Sequence, residues 1–345
     1  MILVCGGLAD QVTELVCARL NDCRYPYRFL NSGLYPDGYG LCARWKGTHP
    51  EGYLAGPGWR HDLAEFHAVF ARYLGLEGRV APEGLTADQA STLFGEHDGG
   101  LVALFEHLPC PVVNRVSGGM SNHSKPFQAL LVRRYGLLTP PTLVTSDPEE
   151  ARRFCNEHGG EVIYKSLSGL RSIVRRVGSD QLGRLELLRH APAQFQALVP
   201  GDNVRVHTVD DRCFATRVHS GAVDYRYARR DGLTTEMEPD ELPPHVADAC
   251  VRLARALGLL IAGIDLKVTP SGDYYCFEVN PSPGFISYEL TTGQPISAAL
   301  ADLLQHGPGA TAGSPGKEGT HAKIASPRFD QSGATPAPQA VVPGP

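Results

Sequence analysis

Residues 263–280 constrain this chain most. They read Gly-Ile-Asp-Leu-Lys-Val-Thr, then Pro-Ser-Gly-Asp, then Tyr-Tyr-Cys-Phe-Glu-Val-Asn. Two strand-like runs flank a four-residue loop, 270–273, a common hairpin length. With Thr269 opposite Tyr274, counting back sets Asp265 opposite Glu278. Alternation then sends Ile264, Leu266, Val268, Tyr275, Phe277 and Val279 to one apolar face, and Asp265, Lys267, Glu278 and Asn280 to the other. Carboxylates so placed stand ~4.5–5.5 Å apart at Cβ and repel. A bound cation reverses that sign, and two carboxylates plus an amide oxygen are hard donors that suit Mg²⁺. An ordinary surface sheet in which Lys267 or a nearby arginine neutralises the acids fits the same pattern. Taken alone, the hairpin leaves both readings open.

Composition narrows the class of protein around this hairpin. A chain of 345 residues fits about two or three domains. Its 42% hydrophobic and 20% charged residues are those of a globular protein. Thirty-two basic against 37 acidic side chains give no basic excess for a nucleic-acid backbone. No apolar run approaches the ~18 residues of a membrane span. Met-Ile-Leu-Val-Cys5 lacks a basic lead-in and reads as a strand, not a signal peptide. Nine scattered cysteines without a CxxC pair point to a reducing cytoplasm. GxSxG, HExxH and Walker GxxxxGK[ST] patterns are absent, so hydrolase, zinc-protease and P-loop readings lack a carrier.

The chain order predicts an α/β organisation. A strand at 2–5, a helix bearing Val12, Leu15, Val16 and Leu20, and a strand at 27–30 suggest a parallel unit. Residues 32–60 carry no clear period; helices are expected around 61–74 and 87–107, then a strand at 111–114. Asp147, Pro148, Glu149 and Glu150 form a helix start, with the helix running to about His158. Runs 204–209 and 212–219 read as a hairpin about Asp210-Asp211, and a helix is expected from about 245 to 257. His123, His207 and His219 lack metal-ligand spacing and read as ordinary polar residues. Residues 307–345 are rich in Gly, Pro and Ala and read as a disordered tail.

The turn Asn280-Pro281-Ser282-Pro283-Gly284-Phe285 leaves from the metal edge of the hairpin. Here the sequence resembles the ATP-grasp superfamily, whose catalytic strand ends in an acid, one residue, then Asn. The string EVNPSPGF is similar to the RimK-like and glutathione-synthetase-like branch. The resemblance implies that Asp265, Glu278 and Asn280 bind Mg²⁺, or Mn²⁺ in its place. Lys125 in Ser121-Asn-His-Ser-Lys-Pro126 and Lys165 in Val162-Ile-Tyr-Lys match the two lysines that reach ATP phosphates. Residues 166–172 would be the loop over the phosphates, with Ser168 and Gly169 on the nucleotide. Residues 195–205 resemble the hinge that holds adenine by backbone groups near Ala197 and Leu198. Gln196 stands there where many relatives have Glu. Asp202 would contact the ribose, and Arg205 would face the phosphates and the developing acyl phosphate.

Asp224-Tyr225-Arg226 and the stretch 288–296 resemble the graspetide (microviridin-type) peptide ligases, which commonly carry a different sequence after the metal Asn. Arg226 would bind the substrate carboxylate or stabilise the tetrahedral intermediate. The resemblance covers residues 115–305. It implies an ATP-grasp fold: a pre-ATP-grasp domain at 1–115, and an ATP-grasp domain at 116–306 whose two α+β lobes clasp ATP. The implied activity is a cytoplasmic, ADP-forming ligase that activates a carboxylate as an acyl phosphate and joins it to an amine or hydroxyl. The substrate would be a peptide or protein, the assembly a homodimer, with neither nucleic acid nor membrane as partner. A small-molecule amino-acid or natural-product ligase and a non-catalytic ATP-binding regulator are the alternatives.

Overall fold

The computed structural model describes residues 1–7, 9–34, 38–72, 81–167, 174–220, 232 and 234–310. The expected tail lies outside them apart from 307–310, as do Ser168, Gly169 and Arg226. Residues 1–310 form one compact unit. Among the described residues no helix is long and apolar enough to cross a membrane.

The N-terminal sheet is parallel, in the order Tyr27–Asn31, Ile2–Gly6, Ala68–Ala71, Val112–Val113. Ala68–Ala71 occupies the stretch expected to be helical. Leu63, Phe66 and Phe70 mimic helical spacing, but all four strand residues are buried, and a continuous apolar run suits a central parallel strand covered on both faces. Residues expected to be featureless fold as a three-stranded antiparallel sheet, Gly40–Lys46, His49–Gly56 and Trp59–Asp62. Its two tight turns are Gly47-Thr48 and Pro57-Gly58, with both glycines at positive φ. The expected helix at 87–107 is present as Ala87–His107, capped by Thr86.

A four-stranded sheet runs Arg175–Arg176, Val162–Lys165, Ala193–Ala197, Thr142–Thr145. Beside it Asp147 caps the helix Pro148–Glu157 through the Glu149 amide. A five-stranded antiparallel sheet runs Thr235–Asp240, Arg212–Ser220, Asp202–Val209, Ile261–Val268, Tyr274–Asn280. One core joins its end to the N-terminal sheet. Ile2, Val4, Val16 and Phe70 pack with Val209, Ile261, Phe285, Ile296 and Leu300 in a single buried cluster.

Candidate functional site

The expected hairpin forms, with a difference at its turn. Val268 pairs with Tyr274, so the loop is 269–273, held by Thr269 N donating to the Asp273 carbonyl at 3.0 Å. That register is one residue off the expected one. Between Leu266 and Asp265 it slips by one, with Phe277 as the extra residue, and Asp265 then stands opposite Glu278 as the count predicts. The slip also changes which side chains reach the core: Cys276 and Val279 are buried, while Tyr275 and Phe277 are only partly so.

Three strands now place charged side chains in one row, because Arg205 pairs with Asp265 and Asp265 with Glu278. The Arg205 side chain is almost fully buried, and its Nη1 donates to Asp265 Oδ1 at 2.7 Å. The next row is His207, Gly263 and Asn280. Gly263 supplies a gap there. A Cβ at that position would stand 2.0 Å from Arg205 Nη2 and 2.7 Å from Pro283 Cβ. The guanidinium therefore lies where a side chain would otherwise be. Asn280 Oδ1 accepts from the Ser282 amide at 2.8 Å, which ties its amide to the following turn and leaves that oxygen a second lone pair.

His207, expected to be an ordinary polar residue, is instead fully buried against Arg205. Arg205 Nε donates to His207 Nε2 at 3.3 Å. A guanidinium only donates, so this bond requires the tautomer with a bare Nε2. The Gly284 carbonyl lies 3.3 Å from the same nitrogen and gains a hydrogen bond only in the other tautomer. Burial, and then the Arg205 charge, hold this imidazole well below its ordinary pKa. Tyr288 packs edge-on against the ring, with centroids 4.9 Å apart.

Lys165 is buried, and its Nζ donates to Gln196 Oε1 at 3.2 Å, while Gln196 Nε2 donates to Thr142 Oγ1 at 3.1 Å. The two residues are thus brought together. The amides of Ala197 and Leu198 are committed to the carbonyls of Pro141 and Glu161, at 3.0 and 2.9 Å. Asp202, at the start of its strand, pairs with Arg217 at 3.1 Å, and Arg217 also reaches Asp240 at 3.0 Å. Lys267 lies beyond Asp265, and burial lowers its pKa against the opposing pull of Asp202. Lys125 is buried at the start of the helix Lys125–Arg134. That helix docks on the strand Tyr274–Asn280, where Gln128 bonds both backbone groups of Val279.

Sequence reasoning did not find the residues that fasten this site to the rest of the molecule. Asn114 donates from Nδ2 to the carbonyls of Ile261 and Pro281, both at 2.6 Å, and accepts at Oδ1 from Leu260 N at 2.8 Å. Arg72 grips Asp10 with two bonds, at 2.9 and 3.0 Å, and donates to Ser282 Oγ and the Pro283 carbonyl at 3.0 and 3.1 Å. Burial pushes the Asp10 carboxyl up, but hydrogen bonds from Arg72 and Thr13 outweigh it and hold the group below its ordinary value. Among the described residues no three His, Cys, Asp or Glu side chains converge. Asp265, Glu278 and Asn280 are hard oxygen donors of the kind Mg²⁺ takes.

The family model described as the RimK-like ATP-grasp domain matches residues 122–304. The α-aminoadipate–LysW ligase LysX of Sulfurisphaera tokodaii is 24% identical over 53% of this chain and 67% of its own. A probable α-L-glutamate ligase of Rhodopirellula baltica is 28% identical over 62% of this chain and 54% of its own. The chain thus spans between about half and two thirds of the length of these curated relatives. Among solved structures, the ATP-grasp ligase PsnB complexed with minimal precursor, Mg and ADP superposes with a TM-score of 0.70 at 29% identity. That match covers 88% of this chain and 96% of PsnB. The macrocyclase MdnC of Microcystis aeruginosa, bound with precursor peptide MdnA, gives a TM-score of 0.74 at 22% identity, covering 88% and 99%. The fold is the ATP-grasp fold that the hairpin and its turn imply. With more than half of its length matched by the family model, this chain belongs to the RimK-like ATP-grasp family.

Proposed function

We propose that the protein is an ATP-dependent ligase that activates a carboxylate as an acyl phosphate and joins it to an amine or hydroxyl of a peptide. The observation that carries this reading is the row Arg205–Asp265–Glu278 with Asn280 beside it. Phosphoryl transfer needs charge neutralisation and alignment more than covalent help. Mg²⁺ bound by Asp265, Glu278 and Asn280 would supply neutralising charge to the phosphates. Lys125, Lys165 and Arg205 add fixed cations. The γ-phosphoryl of ATP passes to the substrate carboxylate, releasing ADP. The nucleophile then attacks the acyl carbon, and phosphate leaves as the amide or ester forms.

With the Ala197 and Leu198 amides committed to the sheet, adenine would be met by their carbonyls. Gln196 fixes Lys165, and Asp202 meets the ribose by exchanging part of its contact with Arg217. Ser168 and Gly169, outside the described residues, would bind the nucleotide, and Arg226, also outside them, would meet the substrate. Arg205 carries the most demanding role, because removing one positioned charge contact to a transition state costs on the order of 10²–10³ in rate.

The degree of the structural likeness favours a peptide as substrate. PsnB complexed with its precursor superposes with a TM-score of 0.70 at 29% identity. A D-alanine–D-alanine ligase that covers the same share of the chain reaches only 0.53 at 16%. A hydroxylamine trap tests the proposal. The protein, Mg-ATP and host-cell extract, separated into peptide and small-molecule fractions, are assayed for hydroxamates by mass spectrometry. ATP-dependent hydroxamates on peptides, absent with Glu278→Gln, are expected. Hydroxamates confined to the small-molecule fraction would refute the peptide substrate, and equal yields from Glu278→Gln would refute the site.

A further inference from the structure

We propose that Gln128 is a positioning residue for the metal-binding end of the strand Tyr274–Asn280, acting through the backbone of Val279. The inference rests on the reading of Asp265, Glu278 and Asn280 as Mg²⁺ ligands. Tyr274–Asn280 is an edge strand of its sheet, so its outer backbone groups have no strand to pair with. Near the turn that edge is closed by Leu138, whose carbonyl accepts from Cys276 N at 2.7 Å and whose amide donates to the Tyr274 carbonyl at 3.3 Å. Beyond it Phe277 is the extra residue of the register slip, a point where pairing is interrupted just before Glu278.

Gln128 closes the edge on the other side of that interruption. Val279 N donates to Gln128 Oε1 at 2.8 Å, and Gln128 Nε2 donates to the Val279 carbonyl at 2.9 Å. Its second amide hydrogen faces Ser121 Oγ at 3.3 Å. The side chain is 2% exposed, so water does not compete for these bonds. The Val279 amide belongs to the peptide plane shared with Glu278, and the Val279 carbonyl to the plane shared with Asn280. One side-chain amide thus pins both planes that aim the two ligands on this strand. A primary amide is the side-chain group that offers a donor and an acceptor on one planar end, as a neighbouring strand would. Gln128 lies three residues after Lys125 in the same helix, and so on the same face. The lysine and the metal strand are thereby fixed to one element.

The test is Mn²⁺ binding by the full chain in the presence of ADP, followed by electron paramagnetic resonance titration of free Mn²⁺. Gln128→Met keeps the length and removes both bonds, and its Mn²⁺ Kd is expected to rise on the order of 10-fold or more. Gln128→Asn keeps the amide but falls one methylene short. It is expected to shift the same way, and it keeps the test open should the methionine variant not fold. Val132→Ala opens a cavity in the buried side of the same helix, and should lower the melting temperature while leaving the Kd within about twofold of wild type on this account. A Gln128 variant with wild-type Kd, where Glu278→Gln weakens Mn²⁺, overturns the inference and spares the metal site. Wild-type Mn²⁺ affinity in Glu278→Gln overturns the metal site and this inference with it.

Discussion

Gly263→Ala is the sharpest perturbation the site offers. The backbone there is compatible with alanine, so only the added methyl group acts. It would sit 2.0 Å from Arg205 Nη2, 2.6 Å from Arg205 Cζ and 2.7 Å from Pro283 Cβ. The proline ring cannot turn away, so the guanidinium must. It is buried, and it is held by Asp265 at 2.7 Å and His207 at 3.3 Å. Overpacking costs about 1–3 kcal/mol, and stranding the charge of a buried pair raises that to about 3–5 kcal/mol. If Arg205 reaches the phosphates, its displacement also removes a charge-assisted bond worth about 1.5–3 kcal/mol, or about 10- to 150-fold in Kd. The assay is calorimetric titration with Mg²⁺ and a non-hydrolysable ATP analogue, alongside a thermal melt. Gly99→Ala is the control, since a Cβ there meets nothing within 4 Å. Alanine also favours a helix over glycine. Wild-type affinity and melting temperature in Gly263→Ala would refute the account of how Arg205 is placed.

Three further outcomes follow from the contacts. His207 is neutral in the folded protein and titrates well below its ordinary 6.5, so the unfolded chain takes up a proton first as pH falls. His207 therefore lowers stability by about 1.4 kcal/mol per unit below pH 6.5 and has no such effect above it. Denaturant melts between pH 5 and 7.5 should show a shallower slope in His207→Gln than in wild type, and identical slopes would exclude the linkage. Arg72→Met leaves Asp10 with Thr13 but without its ion-pair partner, and Ser282 Oγ and the Pro283 carbonyl without the Arg72 donor. It should destabilise the fold by about 3 kcal/mol, and a urea midpoint equal to wild type would contradict the clamp. Because Asp10 is held below its ordinary pKa, its contribution is present above pH 3.8 and lost at lower pH. Arg72→Met should accordingly differ from wild type less in acid than at neutral pH.

What could be read from the sequence was local. The end of the hairpin that carries the acids obeys alternation and a short turn, so Asp265 faces Glu278 as counted. Counting from a four-residue turn is one residue off at that turn, and the slip at Phe277 cancels that difference, a compensation that pairwise alternation cannot reveal. The strand Ala68–Ala71 was hidden because its apolar run has no period of its own. The small sheet over residues 40–62 was hidden because Pro50 and Gly52 break its pattern, although Gly47-Thr48 and Pro57-Gly58 mark its turns. Gly52 is required there: at φ 142° its Cβ would stand 2.0 Å from the Cys42 carbonyl oxygen. The fasteners of the site were illegible for another reason. Asn114 meets Ile261 across 147 residues, Gln128 meets Val279 across 151, and Arg72 meets Ser282 across 210. No spacing rule reaches that far. His207 was closer to hand, since a histidine two residues from Arg205 on one strand must share its face.

A crystal structure of the protein with ADP and Mn²⁺, the metal located by its anomalous signal, would show whether Asp265, Glu278 and Asn280 hold it. A manganese peak bonded to one oxygen each of Asp265, Glu278 and Asn280 is expected. The nucleotide phosphates would lie between it and Lys125, Lys165 and Arg205. Bound nucleotide with the metal elsewhere, and Arg205 still closed on Asp265 with no phosphate near it, would contradict the account.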